Sequence, residues 1–124
     1  MDEFAGYGLQ QLYQKRDELE ELLVRGLDEM RRSGIKLAEN EAEYRKRLAV
    51  EILQQRAAGV PVTVIGDICR GLDYIADLKQ ARDSSEAVYS AAKESINVNK
   101  LRLKTVEAEI QRIWTSGGYG GYQQ

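Results

Sequence analysis

The chain has 124 residues, 18 basic and 20 acidic side chains, a formal net charge of −2, one cysteine and no histidine. That length fits one domain, and interspersed charges so nearly balanced argue against a dedicated nucleic-acid or membrane surface. Without histidine, the commonest general base and the commonest transition-metal ligand are missing, and a single cysteine cannot form an intrachain disulfide.

A single proline among many Ala, Leu, Glu, Gln, Lys and Arg residues is the composition of long helices. No apolar run approaches membrane-spanning length, and the first residues lack the charged-then-apolar pattern of a secretory leader. The expected setting is therefore a reducing cytoplasm, with no membrane partner.

Residues 1–8 carry Gly6 and Gly8 around Tyr7 and read as a loose lead-in to a helical domain over residues 9–114. From Leu9 onward Leu12, Leu19, Leu22, Leu23, Leu27 and Met30 recur at helical spacing, opposite Lys15, Asp17, Glu20, Glu21 and Asp28. Ser33 and Gly34 interrupt this pattern, but it resumes at once with Leu37, Tyr44, Leu48 and Ile52. One helix over about Leu9 to Ala58, roughly 75 Å long at 1.5 Å per residue, tolerates or kinks at that glycine; a true turn is the alternative.

Gly59 stands where a helix-ending glycine belongs, and Pro61 cannot rejoin the hydrogen-bond ladder. The next stretch is either an extended connector or a short helix capped by Thr63, running through Cys69 and ending at Gly71. Asp73 then reads as the N-cap of a last helix that reaches Trp114. Its stripe alternates steps of three and four throughout: Ile75, Leu78, Arg82, Ser85, Tyr89, Ala92, Ile96, Asn99, Leu103, Val106, Ile110, Ile113. A heptad stripe faces one partner continuously only on a helix supercoiled left-handed against another. Residues 115–124, rich in Gly and Tyr, read as a flexible tail.

The fold class expected is all-α, an elongated antiparallel helical hairpin with a short helical tip. Two long helices joined by a compact connector run antiparallel, which sets Leu48 near Arg82, Leu23 near Ala108 and Glu41 near Tyr89. A hairpin buries only one seam, and a single seam is a thin core. Self-association is therefore expected, with a dimer completing a four-helix bundle, although a different protein could fill the same place.

Few residues invite chemistry. Cys69 reads as a small buried apolar residue, and carboxylates at helical spacing such as Glu39 and Glu43 read as solvated faces. No catalytic residue, metal or cofactor is expected, and the chain is not read as an enzyme. Glu41, Arg82, Ser85 and Tyr89 put polar groups on the seam, where they fix register or line a polar pocket between helices. Val60, Val62, Val64 and Ile65 close the hairpin end or form a docking tip. The rhythm of this connector resembles the start of a helix-turn-helix, but Leu72-Asp-Tyr-Ile-Ala-Asp-Leu follows, without a base-reading side chain near its start. The clusters Arg31-Arg32 with Lys36, and Arg45-Lys46-Arg47, are broken by glutamates and read as ion-paired helix surface. Tyr119 and Tyr122 could stack on bases, which leaves nucleic-acid binding as a weaker alternative.

The segment Ala38-Glu-Asn-Glu-Ala-Glu-Tyr-Arg, then Gly59-Val-Pro-Val-Thr, Arg70-Gly, Val88-Tyr, Ile96-Asn and Ile113-Trp, resembles a group of small helical-hairpin proteins encoded by phages and prophages of Gram-positive bacteria. The resemblance spans roughly Leu9 to Trp114 and excludes the Gly/Tyr tail. It rests on packing and turn residues, which speak for fold more than activity. It implies an accessory protein that binds a protein partner in the phage replication and recombination module, in the host bacterial cytoplasm. A phage-encoded inhibitor of a bacterial defence system is the alternative within the same setting.

Overall fold

The computed structural model describes residues 3–116, and all of their regular structure is helical: α1 (Leu9–Ala57), α2 (Val62–Arg70) and α3 (Asp73–Ser116). α1 and α3 run antiparallel, and α2 is the short tip between them. The chain forms two compact units, one from residues 1–29 and 93–124 and the other from residues 30–92. The tail from residue 117 onward lies outside the described residues.

Local chemistry explains the helix ends. Gly8 occupies the N-cap of α1, with its carbonyl accepting from the Leu12 N–H at 3.0 Å and its own N–H donating to Gln11 Oε1 at 2.9 Å. That is the return half of a capping box. At the other end Gly59 takes a φ of 90°, which glycine alone adopts without steric penalty. The Val60 N–H then reaches back to the Gln55 carbonyl and the Gly59 N–H to that of Arg56, the paired bonds of a Schellman stop. Pro61, not Thr63, holds the N-cap position of α2: its carbonyl accepts from Val64 and Ile65, where no N–H of its own is needed. Likewise Leu72, not Asp73, is the capping carbonyl of α3, accepting from Ala76 at 2.8 Å. Asp73 lies in the first turn, where its charge suits the helix dipole.

The unit of residues 1–29 and 93–124 has the apolar core. Phe4, Leu12, Leu19, Val106 and Ile110 are buried together, with Tyr7, Leu9, Tyr13, Leu103 and Ile113 packed against them. The lead-in expected to be loose is packed here. Phe4 is 1% exposed and meets Tyr7 edge to face at 5.6 Å, while Glu3 takes a two-pronged ion pair from Arg102 at 2.6 and 3.1 Å. Near the other end of the unit Gly26 faces buried Ile96 so closely that a β-carbon there would stand 3.2 Å from Ile96 Cγ1. Leu23 therefore does not oppose Ala108.

In the unit of residues 30–92 the interior is smaller and more polar. Ser33, Tyr44 and Glu51 are buried from α1, Ile65 and Cys69 from α2, and Ile75 from α3. α1 passes Ser33 and Gly34 without a turn. The Ser33 hydroxyl donates to the Met30 carbonyl, and Gly34 leaves room for the Tyr89 ring, whose Cε1 would lie 3.1 Å from an added β-carbon. The expected pairing is displaced by one heptad: Glu41 meets Arg82, and Tyr89 lies against Gly34. The cause is an asymmetric tip. Tyr74, one residue into α3, bonds Glu51, so residues 52–57 run on past the start of α3, and α2 buries Ile65 and Cys69 in this unit.

The packed lead-in is directly testable. Phe4→Ala should lower unfolding free energy by about 3 kcal/mol, the usual cost of emptying a phenylalanine site, and Ile96→Asp should cost about 3–5 kcal/mol by burying an unpaired charge. Denaturant melts followed by circular dichroism measure both; a Phe4→Ala protein as stable as the parent would show that residues 3–7 add nothing to the core.

Candidate association surface

The heptad positions of α3 line the helix seam. Ile75, Ile96, Val106 and Ile110 are buried; Leu78, Tyr89, Asn99 and Leu103 are half-buried, and Asn99 accepts from Arg102 at 3.3 Å. On α1 the inward positions are Leu19, Leu23, Gly26, Met30, Ser33 and Leu37, again in steps of four and three. Leu22 and Leu27, expected on that face, flank it and are exposed. Small residues occupy the seam where leucines were expected, and large ones stand outside it.

Within the unit of residues 30–92 the polar seam residues pair with one another. Asn40 donates to Ser85 Oγ at 2.6 Å and to the Ala81 carbonyl at 3.3 Å, and the Ser85 hydroxyl donates to the same carbonyl at 2.9 Å. Arg82 donates to Glu41 at 2.9 Å, lies 2.9 Å from Asp83, and stacks over the Tyr44 ring at 5.4 Å. Arg45 also donates to Glu41, at 2.6 Å. Arg45 and, less strongly, Arg82 hold the Glu41 carboxyl below the ordinary carboxylate range although partial burial opposes them. The bond from Glu41 in turn raises Arg82. Of the four residues expected to form a polar pocket, Glu41, Arg82 and Tyr89 line one open groove of about 830 Å³; Ser85 instead serves the Asn40 bridge. The rest of the groove is largely apolar, with Met30, Gly34, Ile35, Leu37 and Ala38 from α1.

The tip holds a second polar cluster. Buried Glu51 accepts from the Tyr74 hydroxyl and, at 2.9 Å, from Gln55 Nε2. Those bonds, Tyr74 first, depress its carboxyl below the ordinary 4.5 against the opposing effect of burial. Glu51 in turn raises the Tyr74 phenol. Burial pushes the Cys69 thiol up, and the nearby Glu51 charge adds to it, so this buried thiol stays protonated. Of the four residues proposed for a docking tip, Ile65 is buried and anchors α2, so it cannot dock a partner. Val60 is half-buried, while Val62 and Val64 are exposed, together with Ile68, which is not among the residues expected at the tip. Val64 and Ile68 are four apart on α2 and hence neighbours on one face.

Other large apolar side chains are exposed in each unit. Leu22, Val24, Leu27, Val98 and Leu101 belong to the first, and Ile35, Val50, Leu53 and Val88 to the second. Among the described residues, exposed large apolar side chains outnumber buried ones. Surfaces so rich in them are suited to protein binding. Arg45 and Arg47 of the basic clusters are spent on Glu41 and Glu43 one helical turn away. Among the described residues there is no group of three or more Cys, Asp or Glu placed to hold a metal, and no helix is long and apolar enough to cross a membrane. Comparison with protein-family models, with curated proteins and with solved structures finds no match.

The Glu51 cluster has a pH signature. A carboxyl with a depressed folded-state value stabilises the fold above the ordinary 4.5, and that stability is lost as pH falls through the folded-state value. Tyr74→Phe removes the main cause of the depression, so the variant should melt lower than the parent near neutral pH, and the gap should narrow below about pH 4. Parallel thermal melts from pH 7 to pH 3 measure it; a constant gap would mean that the bond does not act through the charge of Glu51.

Proposed function

We infer that this protein works by helix-on-helix association, with a second copy of itself and with a protein partner, as a phage-type accessory protein. The observation that carries the reading is the distribution of apolar side chains: each unit has a narrow core and keeps large aliphatic residues on its outer helix faces. Burial of such rows against another helical surface is worth roughly 25 cal/mol per Å² of apolar area, a gain that a lone chain forgoes. The phage setting, and a partner in the replication and recombination module, are supported by the resemblance borne by Ala38–Arg45, Gly59–Thr63 and the later motifs.

The experiment has two parts. Light scattering of purified protein over a range of concentrations should give a mass near twice 14.0 kDa. Tagged protein in nuclease-treated lysate of phage-infected cells should retain replication or recombination proteins. Val62→Asp and Val64→Asp should weaken that retention at least tenfold with helicity unchanged, because both side chains are exposed. Recovery of no protein from that lysate, with nucleic acid retained when nuclease is left out, would overturn the protein-partner reading.

A further inference from the structure

We propose that the unit of residues 30–92 is an acid-released latch: protonation of Glu41 and Glu51 opens its helix seam, while the unit of residues 1–29 and 93–124 stays folded. Such a latch acts without any partner.

The two units differ in what fills their interiors. Among the described residues, the buried polar side chains Ser33 and Glu51 both lie in residues 30–92, whereas the core of the other unit is Phe4, Leu12, Leu19, Val106 and Ile110. Glu51 is 9% exposed, and its partners, the Tyr74 hydroxyl of α3 and the Gln55 amide of α1, carry no charge. Neutral donors offset only part of the desolvation of a buried carboxylate. The Cys69 thiol of α2 feels the charge of Glu51 and of Arg70, and Arg47 of α1 acts on the Tyr74 phenol. Glu41 is the opposite case, held by two cations, Arg45 one turn along α1 and Arg82 from α3. Asp83, itself paired with Lys79, lies against Arg82, and Glu86 adds its charge there.

Acid acts on both places at once. It discharges Glu41 together with Asp83, which leaves the Arg82 guanidinium, 24% exposed between the helices, without a counter-ion. It also removes from Glu51 the charge that strengthens the bonds from Tyr74 and Gln55. Glu41, Glu51 and Asp83 all have depressed folded-state values, so their stabilising effect is complete above the ordinary carboxylate range and is lost as pH falls through those values. In the other unit the pairs of Glu3 with Arg102 and of Glu109 with Arg112 clamp the lead-in and one turn of α3, and the seam stays apolar when they go. Opening lays bare Tyr44, Ile65 and Ile75. Residues 29 and 93 remain anchored in the folded unit, so the segment closes again as a loop with tethered ends.

The chain's single cysteine supplies the test. Cys69 is buried in the latch, and its protection is its rate of reaction with 4,4′-dithiodipyridine in denaturant divided by that in buffer at the same pH. A chain carrying Cys69→Ala and Val106→Cys moves the thiol into the core of the other unit. Fluorescence of Trp114, which donates to Tyr13, reads that unit in the parent and decides the matter should the double variant lose helicity. Between about pH 7 and about pH 3, protection of Cys69 should fall roughly a hundredfold, while that of the thiol at position 106 and the Trp114 signal hold. Glu41→Gln combined with Glu51→Gln should lower Cys69 protection roughly tenfold at neutral pH and flatten its dependence on pH. Cys69 protected throughout, or lost in step with position 106 or Trp114, would overturn the latch. A Gln variant whose protection falls with pH as steeply as the parent's would overturn it too.

Discussion

A helix that packs on one neighbour can bury only one stripe of its surface, and the rest of this structure follows from that limit. In each unit α1 and α3 press a single seam together, so each seam residue counts heavily. The unit of residues 1–29 and 93–124 meets the limit with apolar bulk and enlarges its core with Phe4 from outside the helices. The unit of residues 30–92 instead uses matched polar pairs, Asn40 with Ser85 and Glu41 with Arg82, and closes its end with α2. Apolar seams tolerate sliding by a heptad, whereas these pairs do not. A shift would leave a half-buried guanidinium and carboxylate without each other, so the polar pairs set the register that the apolar residues leave open.

How much of this the sequence disclosed depends on where the information lies. The seam of α3 was legible because its steps of three and four never falter and enough of its positions are Ile, Leu or Val. That of α1 was not, because Gly26, Ser33, Gly34 and Asn40 occupy inward positions while Leu22, Leu27 and Ile35 lie off them, and an apolar pattern looks for large residues. The exception was Glu41, whose place on the seam could be read from its spacing to Leu37 and Tyr44. The pairing of α1 with α3 lies one heptad from the expected one, since the overrun of α1 is set by how α2 buries Ile65 and Cys69, and no local pattern contains that. Phe4 is not legible as core for a similar reason: what holds its segment is Arg102, 99 residues away from Glu3.

Inside and outside are coupled through the small residues. Wherever glycine sits on the seam, a large side chain of the opposite helix can enter, Ile96 at Gly26 and Tyr89 at Gly34, and the two helices come close. The bulk that such positions do not hold appears on the flanks, as Val24 and Leu27 beside Gly26 and as Ile35 beside Gly34. Close pairing within each unit thus has, as its counterpart, an apolar exterior. A surface suited to protein binding is then a consequence of how the interior is built.

The joining of residues 3–19 with residues 102–114 in one unit also bears on how the chain is made. Glu3 to Arg102 and Tyr13 to Trp114 are contacts across nearly the whole sequence. During synthesis the first helical turns leave the ribosome with Phe4, Leu12 and Leu19 uncovered, and they stay so until Val106 and Ile110 follow. Residues 30–92 are complete before then and can close around the tip, because their pairings need only the shorter loop. From the addition of Ala92 until Val106 and Ile110 follow, the nascent chain is therefore a folded hairpin carrying an unfinished, adhesive first helical stretch.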